Sequence, residues 1–227
     1  MLEKKIFFKK TFLYKDAENF SKISGDFNPL HLSNEFASKS IHGERIVHGL
    51  NVIFWALDSF YINSNYNKLK KININFNNPI FFKKNVFLEV FKKEGNSYNF
   101  SVFDDYESKV SFSILIGPKF IARTNLRHKV FKKVLPREIT LENQKSKLMY
   151  TDIQFNKKIF KSEFKNLYKK IDHFVIGSLL STTKIVGMEA PGKYSRYISL
   201  KSNINFKEKS LSYKLQSFDD RFGFLNL

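Results

Sequence analysis

A short segment near the N-terminus combines an aspartate, an asparagine and a histidine with residues that bend the chain. It reads Ser24-Gly25-Asp26-Phe27-Asn28-Pro29-Leu30-His31. Glycine, asparagine and proline favour turns, so we predict a constrained loop that brings Asp26 and His31 together. A carboxylate and an imidazole held on one rigid loop can exchange protons with a single water molecule without a metal ion. The segment therefore predicts an acid–base site.

Helical patterns flank this loop. Residues 16–23 have apolar side chains at helical spacing, and Asp16 is the predicted N-cap. A further short helix is expected to start near Ser33. Residues 44–61 are apolar nearly all round, which is typical of a helix buried on most sides. We interpret this stretch as a central helix.

Four strand-type runs separated by turn clusters follow the central helix. They cover residues 69–76, 86–92, 98–103 and 109–116. The order of elements in this part of the chain is therefore a helix and then an antiparallel meander.

The second half of the chain repeats this order less completely. A basic, mixed segment over residues 121–145 is interpreted as a linker. Beyond it we predict a strand, a short polar helix, a second buried helix and further strands, at residues 149–155, 161–170, 174–186, 198–206, 211–218 and 222–227.

The two predicted buried helices begin with similar residues. Ile46-Val47-His48-Gly49-Leu50 aligns with Phe174-Val175-Ile176-Gly177-Ser178, with glycine where close packing is needed. The second half has no counterpart of the acid–base loop. We predict a tandem repeat in which residues 1–120 form a catalytic domain and residues 146–227 form a degenerate, shortened domain with a structural role.

Composition limits the classes of protein. The 227 residues suit two modules of roughly 100 residues each, and 26 Phe provide ample material for a core. The formal charge of +18 is compatible with an anionic partner, but it comes mainly from scattered lysines and does not indicate specific nucleic-acid binding. No run is apolar enough to span a membrane, and lysines interrupt the N-terminal apolar residues, so we expect a cytoplasmic protein. Without cysteine, thiolate chemistry is excluded.

The loop and two later segments resemble the signature of the MaoC-like, (R)-specific enoyl-CoA hydratases and dehydratases. These segments are Glu35-Phe36-Ala37 and Arg45-Ile46-Val47-His48-Gly49. The resemblance implies a hot-dog fold, in which an antiparallel sheet wraps a long central helix. Combined with the tandem repeat, it predicts an α+β double hot dog.

The resemblance also implies a reaction. Members of this family hydrate trans-2-enoyl thioesters to (R)-3-hydroxyacyl thioesters, or catalyse the reverse dehydration, without a metal or redox cofactor. By resemblance, Asp26 and His31 are the acid–base pair, and Asn28 orients the water or the thioester through its amide. The backbone N–H of Gly49 is the implied donor to the thioester carbonyl, at a helix N-terminus that favours negative charge. His48 is expected to be structural.

The substrate would be a thioester of CoA or of an acyl carrier protein, and the implied assembly is a homodimer of double hot dogs. Two other functions remain open at this stage. One is a hot-dog thioesterase, and the other is a non-catalytic acyl-thioester-binding or scaffold protein.

Each candidate residue also has a structural explanation. Asp26 could cap the following helix, His31 could be a half-buried structural histidine, and Gly49 could serve close packing only. Elsewhere, Ser181-Thr182-Thr183 and residues 187–192 have neither a nearby base nor a phosphate-loop pattern, so no function is expected there. The other histidines are not at metal-ligand spacing, and no metal site is predicted.

Overall fold

The computed structural model describes residues 6–62, 68–117, 126–137, 148–190, 192–193, 195, 197–203, 210–213, 217–219 and 224–226. The helices are α1 (Tyr14–Ser24), α2 (Pro29–Leu32), α3 (Asn34–Ser38), α4 (Gly49–Tyr61), α5 (Lys157–Glu163), α6 (Lys165–Lys170) and α7 (His173–Lys184), and α7 continues into a π-helical turn (Ile185–Glu189). The strands are β1 (Ile6–Thr11), β2 (Lys68–Phe76), β3 (Asn85–Lys92), β4 (Ser97–Phe103), β5 (Ser108–Gly117), β6 (Met149–Asp152), β7 (Ser199–Asn203), β8 (Ser210–Tyr213), β9 (Ser217–Asp219) and β10 (Phe224–Asn226).

Six strands form one antiparallel sheet in the order β1-β3-β4-β5-β2-β7. The four predicted strands after the central helix are confirmed, but β2 does not pair with β3 as a simple meander would require. The backbone amides of Asn77 and Asn78 both donate to the Lys109 carbonyl, at 2.9 and 3.1 Å, and tie the end of β2 to β5. The remaining edge of β3 is covered by β1, which the sequence patterns did not reveal. β7 brings the second half of the chain into the same sheet. Two short pairs, β6 with β8 and β9 with β10, lie outside it.

The helix starts differ from the predicted ones for local reasons. α1 begins at Tyr14 rather than behind Asp16, because the Asp16 carboxylate reaches back and accepts the Leu13 amide at 2.6 Å. Ser33 caps α3 as expected, by accepting the Phe36 amide at 3.2 Å. α4 starts only at Gly49, after an irregular approach.

The main hydrophobic core includes residues from both halves of the chain. Alternate residues of the sheet face α4, so that, for example, Leu88 and Val102 are paired and fully buried. On the other side, Phe54 of α4 contacts Phe160 of α5 edge to face, with ring centroids 5.3 Å apart. The predicted strand and helices of the second half are confirmed in outline, with the polar helix divided into α5 and α6 at Phe164.

Part of the predicted linker is described. Residues 126–137 have no regular helix or strand, and the rest of the predicted linker lies outside the described residues. None of the helices in the described ranges is long and apolar enough to cross a membrane.

Candidate active site

The acid–base loop, residues 24–31, runs from the end of α1 into α2, so that Asp26 lies between the two helices and His31 lies within α2. Gly25 ends α1 in the left-handed region, at φ 80°, and its amide donates to the Ser21 carbonyl at 2.8 Å. Three residues further on, Asn28 caps α2 through its side-chain oxygen, which accepts the Leu30 amide at 3.0 Å. Proline at the first position of α2 suits a helix start, since its missing N–H is not needed there. Two helix ends therefore determine the path of this loop, and Asp26 is not the capping residue.

The structure brings Asp26 and His31 together, as the spacing predicted. A carboxylate oxygen of Asp26 and a ring nitrogen of His31 lie within 4.8 Å of each other. His31 Nδ1 is 2.8 Å from the Ile46 carbonyl oxygen. Because a carbonyl only accepts, Nδ1 holds the hydrogen, and Nε2 is left as the nitrogen that can gain or lose a proton.

Burial changes the proton affinities of the two groups in opposite directions. Asp26 is only 2% exposed, and desolvation raises the pKa of its carboxyl, an effect that the nearby His31 and two hydrogen bonds oppose. Desolvation lowers the pKa of His31, and the charge of Asp26 opposes that shift. The two pKa values therefore move toward each other, which lowers the cost of passing a proton between the groups.

The second half of the chain contacts the Asp26 carboxylate directly. Thr183 of α7 donates its hydroxyl to Asp26 Oδ2 at 2.7 Å, and both residues are buried. The backbone amide of Asn28 donates to the other oxygen at 3.1 Å. Gly187 of the π-helical turn lies so close that a Cβ atom there would stand 2.4 Å from Asp26 Oδ1. The local sequence did not predict this placement, in which Thr183 and Gly187 form one wall of the candidate site.

The Asn28 amide has its partners in the same part of the fold. Its two hydrogens are directed at the carbonyl oxygens of Gly187 and Gly192, at 3.2 and 3.3 Å. Its side-chain oxygen accepts the Leu30 amide and so caps α2. In this arrangement the side chain joins the loop to the π-helical turn, rather than presenting free donors to a water or a thioester.

Gly49 is the first residue of α4 and lines the same pocket as Asp26 and His31. Its amide belongs to the first turn, whose N–H groups have no partner within the helix. The ring of Phe76 packs so closely that a Cβ atom on Gly49 would stand 2.6 Å from it. The structural and the functional explanations of this glycine are therefore compatible.

His48 completes a buried cluster with Asp26 and His31. The two imidazole rings are stacked, with centroids 3.7 Å apart and planes inclined by 29°. Lone pairs of ring nitrogens lie in the ring planes, so stacked rings direct them side by side and not onto a common ion. The cluster is poorly suited to holding a metal.

The pocket around the pair is lined by residues of both halves. Apolar and polar side chains contribute to its wall in about equal number, and the polar ones include the acid–base residues, His42 and the asparagines that follow β2. The lining residues from the second half are Thr183, Val186, Gly187, Ser195 and Tyr197. Of the other histidines, His128 and His173 are not part of the pocket lining. A cleft in which polar groups converge among apolar side chains is typical of a small-molecule site.

Comparison with known proteins agrees with the loop signature. Residues 4–108 match the family described as MaoC like domain. One segment of 42 residues is 48% identical to 3-hydroxybutyryl-CoA dehydratase from Methylorubrum extorquens, covering 18% of this chain and 27% of that protein. The chain thus matches about a quarter of the length of this curated relative.

Two solved structures resemble the whole fold. A MaoC-like dehydratase is 10% identical, with a TM-score of 0.56 over 95% of this chain and 89% of the other. A MaoC domain dehydratase from Chloroflexus aurantiacus J-10-fl is 10% identical, with a TM-score of 0.52 over 86% of this chain and 74% of the other. At these identities the likeness concerns the fold alone, an antiparallel sheet packed with helices, consistent with the α+β hot-dog class. The similarity to the MaoC-like dehydratase family in sequence rests on residues 4–108, just under half of the chain.

Proposed function

We propose that this protein catalyses the reversible hydration of trans-2-enoyl thioesters to (R)-3-hydroxyacyl thioesters. The observation that supports this most directly is the Asp26–His31 pair, which lies beside the N-terminal turn of α4 in one pocket. Hydration needs a base for water, an acid for the α-carbon and a donor to the enolate oxygen, and these three groups can supply them.

The proton count of the proposed reaction balances over one cycle. A water molecule bound between Asp26 and His31 loses a proton to one member of the pair while its oxygen bonds to the β-carbon. The α-carbon takes a proton from the other member, and the pair ends with the number of protons it had at the start. Meanwhile the Gly49 amide, at the positive end of α4, stabilises the charge that develops on the thioester oxygen.

Asn28 has an indirect part in this proposal. Since both of its amide hydrogens are directed at carbonyls of the second half, it holds the loop and does not bind the reacting water. We assign it as a positioning residue.

We further propose that the chain is a double hot dog with one active centre. The support is that β7 extends the first sheet beside β2, and that Thr183 reaches Asp26 from the other half. The division at residues 120 and 146, the acyl-CoA or acyl carrier protein thioester as substrate, and the homodimer belong to the same proposal. The net charge of +18 would attract the phosphates of either carrier.

A spectrophotometric assay with crotonyl-CoA and longer enoyl thioesters, on CoA and on a carrier protein, tests the reaction. We expect wild-type turnover, and a loss on the order of 10²–10⁴ in kcat for Asp26→Asn and for His31→Ala. The exposed His128 provides a control, since His128→Ala should leave the rate unchanged. Absence of wild-type turnover on all substrates would refute the proposal, and release of free thiol would indicate a thioesterase instead.

A further inference from the structure

His48 lies directly behind the reacting pair and has no part in the reaction as proposed above. It is 1% exposed and stands at the N-cap of α4 without capping the helix through its side chain. Phe20 packs against the imidazole with ring centroids 5.0 Å apart, and His31 stacks on it at 3.7 Å. The imidazole therefore lies between an aromatic side chain of α1 and the candidate catalytic histidine.

The hydrogen bonds of His48 define its protonation. Nε2 is 3.4 Å from the Asp26 carbonyl oxygen and 3.5 Å from Ser21 Oγ, and the carbonyl can only accept. Nε2 therefore holds the hydrogen. Nδ1 is buried without a hydrogen-bond partner in the part of the chain that the structure describes, which suits a bare lone pair far better than a second N–H.

The surroundings of the imidazole also oppose a positive charge. Its titratable neighbours are Asp26, which approaches through its backbone carbonyl, and His31, whose own proton would repel a second one. Phe20 and Ser21, the neighbours from α1, are uncharged. Burial and the adjacent His31 together lower the pKa of His48 well below its usual range.

We propose that His48 is a positioning residue, which stays uncharged, stacks behind His31 and hydrogen-bonds the backbone of Asp26 so that the two reacting side chains remain aligned. This inference rests on the proposed acid–base role of the pair. A neutral stacking partner leaves His31 free to take up and release a proton. The bond to the Asp26 carbonyl holds the loop at the residue that supplies the carboxylate.

Two substitutions separate the two contacts. His48→Phe keeps an aromatic ring against His31 and removes the donor to Asp26, whereas His48→Gln keeps an amide donor near the Nε2 position and removes the ring. We expect His48→Phe to lower kcat by about 10- to 100-fold and His48→Gln by less than about tenfold, with KM changed by no more than about threefold in either, since misalignment of reacting groups affects the chemical step. His128→Gln, at an exposed position, is the matched control.

Nitrogen-15 NMR of the histidine side chains supplies a readout independent of turnover. In the wild-type protein His48 should carry its hydrogen on Nε2 and should not titrate between about pH 5.5 and 8.5. A hydrogen on Nδ1, titration within that range, or wild-type kcat in His48→Phe would each overturn the inference. If a variant fails to fold by circular dichroism, the wild-type NMR result still decides it. If no thioester is turned over but the NMR result is as expected, the proposed function fails and the neutral, loop-binding state of His48 stands.

Discussion

Replacing Thr183 by valine tests whether the second half of the chain acts on the reaction. Valine has nearly the same shape as threonine but no hydroxyl, so it removes the 2.7 Å hydrogen bond to Asp26 Oδ2 and leaves the packing of α7 intact. A hydrogen bond to a charged group contributes about 1.5–3 kcal/mol. If that contribution is present in the transition state, kcat/KM falls by roughly 10- to 100-fold, at 1.36 kcal/mol for each factor of ten.

The same substitution should change the pH dependence of the rate. The Thr183 hydroxyl lowers the pKa of Asp26, so its removal raises that pKa. The acidic limb of the kcat/KM profile should therefore move to higher pH. Thr183→Ser, which retains the hydroxyl, should restore most of the rate and the original profile.

Thr151→Val is the matched control, because Thr151 and Thr183 are both 5% exposed and lie in the same half of the chain. It should leave kcat/KM and the pH profile unchanged, with thermal unfolding checking that all variants are folded. If Thr183→Val keeps the wild-type rate and the wild-type acidic limb, the hydroxyl does not act on Asp26 and the second half has only a structural role.

Two further changes test the surroundings of Asp26. Gly187→Ala places a methyl group against the carboxylate, so we expect kcat to fall as the loop shifts, and a crystal structure that shows Asp26 in its original position would contradict this account. Asp26→Asn should lower kcat as predicted above but raise the melting temperature at pH 7. The reason is that burial raises the pKa of Asp26 above its usual 3.8, so the wild type loses stability as the pH rises through the raised value. Asparagine cannot ionise, and the difference in melting temperature should disappear below about pH 4. A destabilised Asp26→Asn at pH 7 would refute the reasoning.

Local sequence predicted much of the first half of the fold. The bounds of the four strands after α4 were predicted to within one or two residues, because alternating apolar residues indicate a strand with one buried face. Strand pairing could not be predicted in the same way. β2 pairs with β5, and the Asn77 and Asn78 amides bind the Lys109 carbonyl at the end of that pairing, a contact between residues about thirty positions apart.

The exact start of a helix could not be predicted from local sequence either. Asp16 suits an N-cap by residue type, but its side chain reaches back to the amide of Leu13 and the helix starts one turn earlier. The buried Ser181 and Thr183 on an apolar helix did offer a signal, since buried hydroxyls need a partner. The partner of Thr183 is 157 residues away, and no local pattern identifies it.

The proximity of Asp26 and His31 was determined by the sequence alone. Asp26 follows the end of α1, and His31 lies five residues later in α2, a helix that Pro29 starts, so short-range geometry brings them together. Only the tertiary structure decided how deeply the pair is buried and which groups contact the carboxylate. Burial moves the two pKa values toward each other, and Thr183 and Gly187 meet the carboxylate from the other half of the chain. Desolvation and long-range contacts arise only when the core closes, and the spacing of residues along a chain does not encode them locally.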